Sequence, residues 1–197
     1  MPRPPAPQGI ERVRSFINTL DREEDRDALR SLDEAHAWLS AQGLPVGDRL
    51  DEAELCRLIT FREGLRELLA DRAEAGTSTG DAPWELAQVA ESAQLVVRFG
   101  PDGAPRLEPA RGSSPVIATL LADIAAAAGD GSWARLKVCA NDACQWAFWD
   151  ASRNHSGVWC TMAVCGNRMK GRAFRARARR GHPALGTPAT MASSAGT

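Results

Sequence analysis

Cys139-Ala-Asn-Asp-Ala-Cys144 is followed, after fifteen residues, by Cys160-Thr-Met-Ala-Val-Cys165-Gly166-Asn167-Arg168. Two cysteine pairs with the same internal spacing, inside one short segment, read as a four-thiolate metal site. Zinc suits such a set, because in structural sites it takes a closed tetrahedron of sulfur ligands, and paired cysteines on two turns let a short chain build one. A spacing of four residues lies at the wide end of the usual range. Disulfides are the competing reading and belong to oxidising compartments. The opening Met1-Pro-Arg-Pro-Pro-Ala-Pro lacks the apolar stretch of a secretory signal, which favours zinc.

The second pair has a helical explanation. With Thr161 as N-cap, a helix begins at Met162 and places Cys160 and Cys165 at the two positions that meet in a hydrophobic staple. Two thiolates there can bind one ion, and the helix N-terminus favours their charge. Gly166 offers a spot without a side chain where the first knuckle can approach the helix.

The run from Leu136 to Arg180, with both cysteine pairs and the literal Cys165-Gly166-Asn167-Arg168, resembles the CGNR zinc finger. That domain closes bacterial proteins whose N-terminal part is the ABATE domain of stress-induced transcription regulators. The N-terminal resemblance rests on Phe16-Ile17-Asn18-Thr19-Leu20, the Trp38-Leu39 helix ending at Gly43-Leu44, and the hairpin from Leu95 to Leu107. The resemblance implies DNA binding by the finger and a role in a bacterial stress response.

The chain has 197 residues, enough for one sizeable core and a small finger that needs its metal to fold. No apolar run approaches the roughly 20 residues that span a membrane, so a soluble, cytoplasmic protein is expected, with no membrane partner. The net charge of −1 conceals a segregation. Residues 1–134 hold 14 Lys+Arg against 23 Asp+Glu, a balance of −9, and residues 135–197 hold 10 against 2, a balance of +8. An acidic body joined to a basic module suggests that only the module meets a polyanion.

Residues 1–8 are proline-rich and expected to be disordered. Ile10, Val13, Ile17 and Leu20 recur as one face of a helix. Asn18 and Thr19 border that stripe; they are either exposed or bonded to the preceding turn, or, in the reading the resemblance raises, they reach into a ligand pocket. Ser31 and Glu34 form a capping box for a helix from Leu32 to Ala41, stopped at Gly43. Asp51 and Glu54 open the longest helix, whose apolar face comprises Leu55, Leu58, Ile59, Leu65, Leu68 and Leu69. In it, Cys56 reads as a small core or boundary residue, and Arg62 as a solvated charge in preference to an anion contact in a pocket. Residues 76–82 form a loop, and Pro83 starts a short helix through Val89. Leu95–Phe99 and Arg106–Leu107 form a hairpin around a glycine-rich turn, and Ser114-Pro115 caps a helix from Val116 to about Ala128.

The expected fold is α+β. A mainly helical N-terminal domain over 9–131, with a small antiparallel β-hairpin, precedes a four-cysteine zinc finger over 132–182 made of a knuckle, two short strands and a basic helix. Residues 183–197 are expected to be a disordered tail. The strands span Trp133–Val138 and Gln145–Asp150, and Trp146, Phe148, Trp149 and Trp159 form the finger's own core. Stacking of these rings on unpaired bases is the functional alternative. His155 lies between the cysteine pairs, but four thiolates already close the metal shell.

After Cys165, Arg168, Arg172, Arg175 and Arg179 fall on one helical face, with Met169, Ala173 and Ala176 on a neighbouring face suited to packing on the knuckle. Lys170, Arg177 and Arg180 widen the stripe. Arginine suits bidentate contact with phosphate or guanine. These residues point to a regulator that contacts duplex DNA while its helical domain senses a small-molecule effector, through Asn18, Thr19 and Arg62, or mediates homodimer assembly. RNA binding, protein interaction by the zinc module and an enzyme acting on a small molecule in the N-terminal domain stay open as alternatives. No Ser-His-Asp set, phosphate loop or open metal position supports the enzyme.

Overall fold

The structure, a computed structural model, describes residues 5–46, 50–75 and 83–180. The expected loop at 76–82, the start of the proline-rich segment and the tail at 183–197 lie outside the described residues.

Helix α3 (Glu52–Ala75) is the spine of the molecule. The Asp51 carboxylate accepts the Glu54 amide at 2.7 Å and fixes where the helix starts. Its stripe of Leu55, Leu58, Phe61, Leu65 and Leu69 is buried. Against this stripe packs α1 (Gln8–Ile17), through Ile10, Val13, Phe16 and Ile17, and α5 (Pro115–Gly129) lies on α1 and adds Val116, Ile117 and Leu120 to the same core. Each such side chain, fully buried, contributes about 1.5–3 kcal/mol of transfer free energy. The Phe16 ring meets those of Phe61 and Trp38, with centroids 6.0 and 6.4 Å apart. Trp38 comes from α2 (Leu32–Ala41), which Ser31 caps by accepting the Glu34 amide at 3.3 Å and which stops before Gly43 at φ +65°. Helix α4 (Trp84–Ser92) crosses α3 at Gly64, where a Cβ would lie 2.8 Å from that of Leu86, so only glycine permits the approach.

Helix α1 ends earlier than its apolar period suggests. Leu20 lies in a two-residue strand β1 (Leu20–Asp21), paired with β2 (Arg26–Asp27), and not on the helix. The reason is chemical. The Thr19 hydroxyl takes the Phe16 carbonyl at 2.8 Å, and a guanidinium of α3, that of Arg66, takes the Ile17 carbonyl at 2.6 Å, so the last carbonyls are satisfied without another turn. The hairpin is as expected: β3 (Leu95–Phe99) pairs antiparallel with β4 (Pro105–Pro109), Val97 opposite Leu107.

In the finger, β5 (Leu136–Val138) pairs antiparallel with β6 (Ala147–Trp149). The strand expected from Trp133 starts later, because Ser132–Arg135 is a 3-10 turn entered through Gly131 at φ +78°. The expectation that the finger buries only its own aromatic rings is corrected. Leu136, Val138 and Ala147 belong to the same core as α1, α3 and α5, and Trp149 packs against it from the edge. Only Trp146 and Trp159 gather around the cysteines. The finger is thus continuous in packing with the helices.

Candidate metal centre and nucleic-acid interface

The four cysteines converge. Their sulfurs all lie within 4.8 Å of one another, with Cys144 to Cys160 at 3.7 Å and Cys160 to Cys165 at 3.6 Å. A tetrahedral zinc with sulfur at about 2.3 Å has edges of about 3.8 Å, so the set fits one ion with no position left for water. Without a cation the cluster frustrates itself. Hydrogen bonds from Cys144 and Cys160 pull the Cys139 thiol down to about 2, whereas bonding to Cys139 pushes Cys144 strongly up and Cys160 to about 12. Thiols packed this closely resist ionising together without a counter-charge; a divalent ion lets all four bind as thiolates and cross-links the two turns.

The second turn is built as its spacing suggests, with one difference. Thr161 is extended and its hydroxyl accepts the Val164 amide at 3.3 Å, but the turn Met162–Gly166 is π-helical before α6 (Asn167–Arg180) continues as α-helix. Gly166 makes room for Met162 and the Trp159 ring, which a Cβ would meet at 2.4 and 3.2 Å, and not for the first knuckle. The first knuckle reaches the second pair through Asn141 instead. This side chain is 1 % exposed, its amide donates to the Cys165 sulfur at 3.6 Å, and its oxygen accepts from Arg172 at 3.5 Å. One buried asparagine therefore touches both the thiolate set and the basic helix.

Two further clamps hold the finger. The loop between the cysteine pairs is tied by Asp150, fully buried, which accepts Lys137 at 2.8 Å and the Gly157 amide at 2.7 Å. Burial alone would raise its pKa, but Lys137 and the Ser152 and Gly157 donors hold the carboxyl well below the usual range. On the other side, β6 meets α1. The Ala147 amide donates to Asn18 at 2.7 Å and the Asn18 amide returns a bond to the Ala147 carbonyl at 2.9 Å, so one side chain pairs with the strand edge as a neighbouring strand would. Arg66 adds a bond to the Gln145 carbonyl at 2.9 Å.

The residues named as a ligand site from the sequence are placed differently from one another. Asn18 holds the finger. Thr19 and Arg62 are buried together: Arg62, 2 % exposed, donates to Thr19 at 3.1 Å and grips both oxygens of Asp27 at 2.6 and 2.9 Å. Arg62 is therefore not solvated, and its anion is supplied by its own chain. Cys56 is exposed, not a core or boundary residue, and lies outside the cluster. His155 is exposed at φ +49°, with its carbonyl bonded to Lys137. Sequence reading missed Asn141, Arg66 and Arg72. A signal for the last two existed: with Arg62 they fall on the same face of α3 as Leu58, Leu65 and Leu69, where a solvated charge has no place.

Helix α6 leaves the metal centre with its cations outward. Arg168, Lys170, Arg172, Arg175 and Arg177 are exposed, Met169 and Ala176 are half-covered, and Ala173 is exposed with Phe174, which is 68 % accessible. Fourteen helical residues extend about 21 Å. The side chains of Arg179 and Arg180 lie outside the described residues. Arg168 forms an ion pair with Glu23, in the acidic turn between β1 and β2, so the helix touches the body at its first turn. Among the described residues no helix is long and apolar enough to cross a membrane.

Comparison with known families agrees with this geometry. The CGNR zinc finger model matches residues 135–178. The ABATE model, whose description is "Putative stress-induced transcription regulator", matches residues 12–130, more than half of the chain. No curated protein matches. The chain belongs to the ABATE family and carries a CGNR zinc finger with four cysteines placed to hold one structural zinc ion.

Proposed function

We propose that this protein is a cytoplasmic transcription regulator that binds duplex DNA through α6, with residues 132–182 acting as the DNA-contacting part and residues 9–131 sensing a signal or mediating homodimer assembly. One observation carries the reading: a row of exposed arginines, free of acidic neighbours in sequence, projects from a helix that continues directly from the turn carrying Cys165. Zinc supplies the rigid base. Arg168, Arg172 and Arg175 form the face that meets phosphates, Lys170 and Arg177 flank it, and Arg179 and Arg180 extend it in sequence. Asn141 ties Arg172 to the metal turn, which limits the entropy lost when that side chain docks.

Arg172→Ala combined with Arg175→Ala tests this. Each phosphate contact contributes about −0.9 to the slope of log affinity against log salt, so the double variant is expected to bind a random duplex up to about a hundredfold more weakly at 0.1 M salt, with a slope shallower by about 2. Fluorescence anisotropy of a labelled duplex reads both. An unchanged affinity removes α6 from the interface.

The Arg168–Glu23 pair has a further consequence. Glu23 offers a carboxylate where the proposed interface needs a phosphate, so DNA must displace it. Glu23→Gln is expected to raise duplex affinity by a few-fold, the effect of removing one exposed ion pair. A variant that binds no better, measured by the same anisotropy, shows that the contact does not compete with DNA.

A further inference from the structure

The side chains first suspected of facing a ligand are used up in internal bonds, but an open cavity of about 710 Å³ lies elsewhere, between the C-terminal half of α3 and the finger. Leu69 and Ala73 form its helical wall; Val138, Ala140 and Val158 form the finger wall. Its charged side chains are Arg72, Lys137 and Asp142, and they are not equivalent: Asp142 is exposed to solvent and, among the described residues, pairs with neither cation. Lys137 is neutralised by Asp150. Arg72 is not: among the described residues it has no carboxylate partner. One terminal nitrogen donates to the carbonyls of Trp133, at 3.3 Å, and Leu136. The guanidinium lies over the Trp133 ring at 5.2 Å, while Nε and the other terminal nitrogen have no acceptor among the described residues. The other two arginines on this face of α3 do have acids, Asp27 for Arg62 and Glu63 for Arg66. Burial lowers the pKa of Arg72, as expected for a cation part-way out of water without a counter-charge.

We propose that this cavity binds a small organic anion, a carboxylate or sulfonate on an apolar body, with the free N–H groups of Arg72 holding the charged head and the aliphatic walls covering the body. The volume falls within the usual 300–1,000 Å³ range of small-molecule sites. A cation with open donors at the edge of an apolar cavity selects for charge, because a neutral ligand would leave the guanidinium without its counter-ion. The two walls come from the helices and from the finger, so a bound anion bridges the part proposed to sense and the part proposed to contact DNA. Its role as an effector rests on the regulator reading; its binding does not.

The test uses zinc-loaded full-length protein and the amphipathic dye anilinonaphthalene sulfonate. Saturable fluorescence enhancement is expected, with displacement by benzoate. The near-isosteric neutral benzamide, the cationic benzamidine and inorganic phosphate should each displace the dye about tenfold less well or worse, the difference a charge-assisted hydrogen bond makes to a ligand that also fills the cavity. Ala73→Trp, at an exposed position on the rim, is expected to abolish the enhancement without touching the core. Arg72→Gln should retain dye binding weakly and equalise benzoate and benzamide. Absence of saturable binding, equal displacement by benzoate and benzamide in the unaltered protein, or unchanged binding in Ala73→Trp overturns the proposal. Duplex binding is measured on the same preparations: dye binding without duplex binding keeps the site and removes the regulator reading, and the reverse outcome removes only the site.

Discussion

Chelation of the zinc is expected to destabilise the whole chain and not the finger alone. A finger attached by a linker would unfold by itself, as its sequence in isolation suggests. Here Leu136, Val138 and Ala147 lie in the core formed by α1, α3 and α5, and Asn18 and Arg66 bond the backbone of the segment Gln145–Ala147. Losing the metal leaves the four sulfurs of the cluster within 4.8 Å of one another without the cation that cross-links them, and structural zinc contributes about 10–16 kcal/mol of apparent binding free energy in isolated finger peptides. Total stabilities are about 5–15 kcal/mol, so a loss of even about 5 kcal/mol lowers the midpoint by roughly 10–20 °C for a chain of this size. The expected result is a single thermal transition after chelation, at markedly lower temperature, with near-ultraviolet tryptophan and far-ultraviolet helix signals melting together. Loss of the tryptophan signal with the helix transition unmoved would show that the finger is energetically separate.

Arg66→Ala is expected to cost about 3–5 kcal/mol, the range for removing one member of a buried charged network. Arg66 is 1 % exposed and its guanidinium holds three backbone carbonyls: Ile17 at 2.6 Å, Gln145 at 2.9 Å and Leu20 at 3.4 Å. Glu63 lies 3.2 Å from its Nε and is left without that partner. Truncation therefore strands acceptors at the end of α1 and at the finger edge and opens a cavity beside Leu65 and Leu69. Arg175→Ala, on the exposed face of α6, should change stability by no more than about 0.5 kcal/mol. Urea unfolding of both variants checks the contrast; equal effects would mean that Arg66 is not a structural link.

The same residues explain what the sequence could and could not disclose. The metal set was legible because its geometry is local: Cys160 and Cys165 meet across one turn capped by Thr161, and the first pair repeats the spacing. Helix starts at Ser31, Asp51 and Ser114 were legible for the same reason, since each cap bonds an amide three residues on. The partners of the α3 arginines were not. Their place in the apolar stripe marks them as buried, but apart from the local Glu63 the groups they bond lie 35 to 79 residues away in sequence. The shared core was hidden because β5 and β6 are three residues each, too short for alternation to say which neighbour covers them. The end of α1 at Ile17 depended on Arg66 taking its carbonyl, again a contact from far along the chain.

Whether zinc holds the arginine helix in position to bind duplex DNA is read from the affinity of the zinc-loaded protein for a labelled random-sequence duplex, followed by anisotropy across a series of salt concentrations. With Arg168, Lys170, Arg172, Arg175 and Arg177 exposed on α6, the predicted slope of log affinity against log salt lies between about −3 and −5. No binding at low salt, or a slope near zero, would contradict DNA binding by the helix.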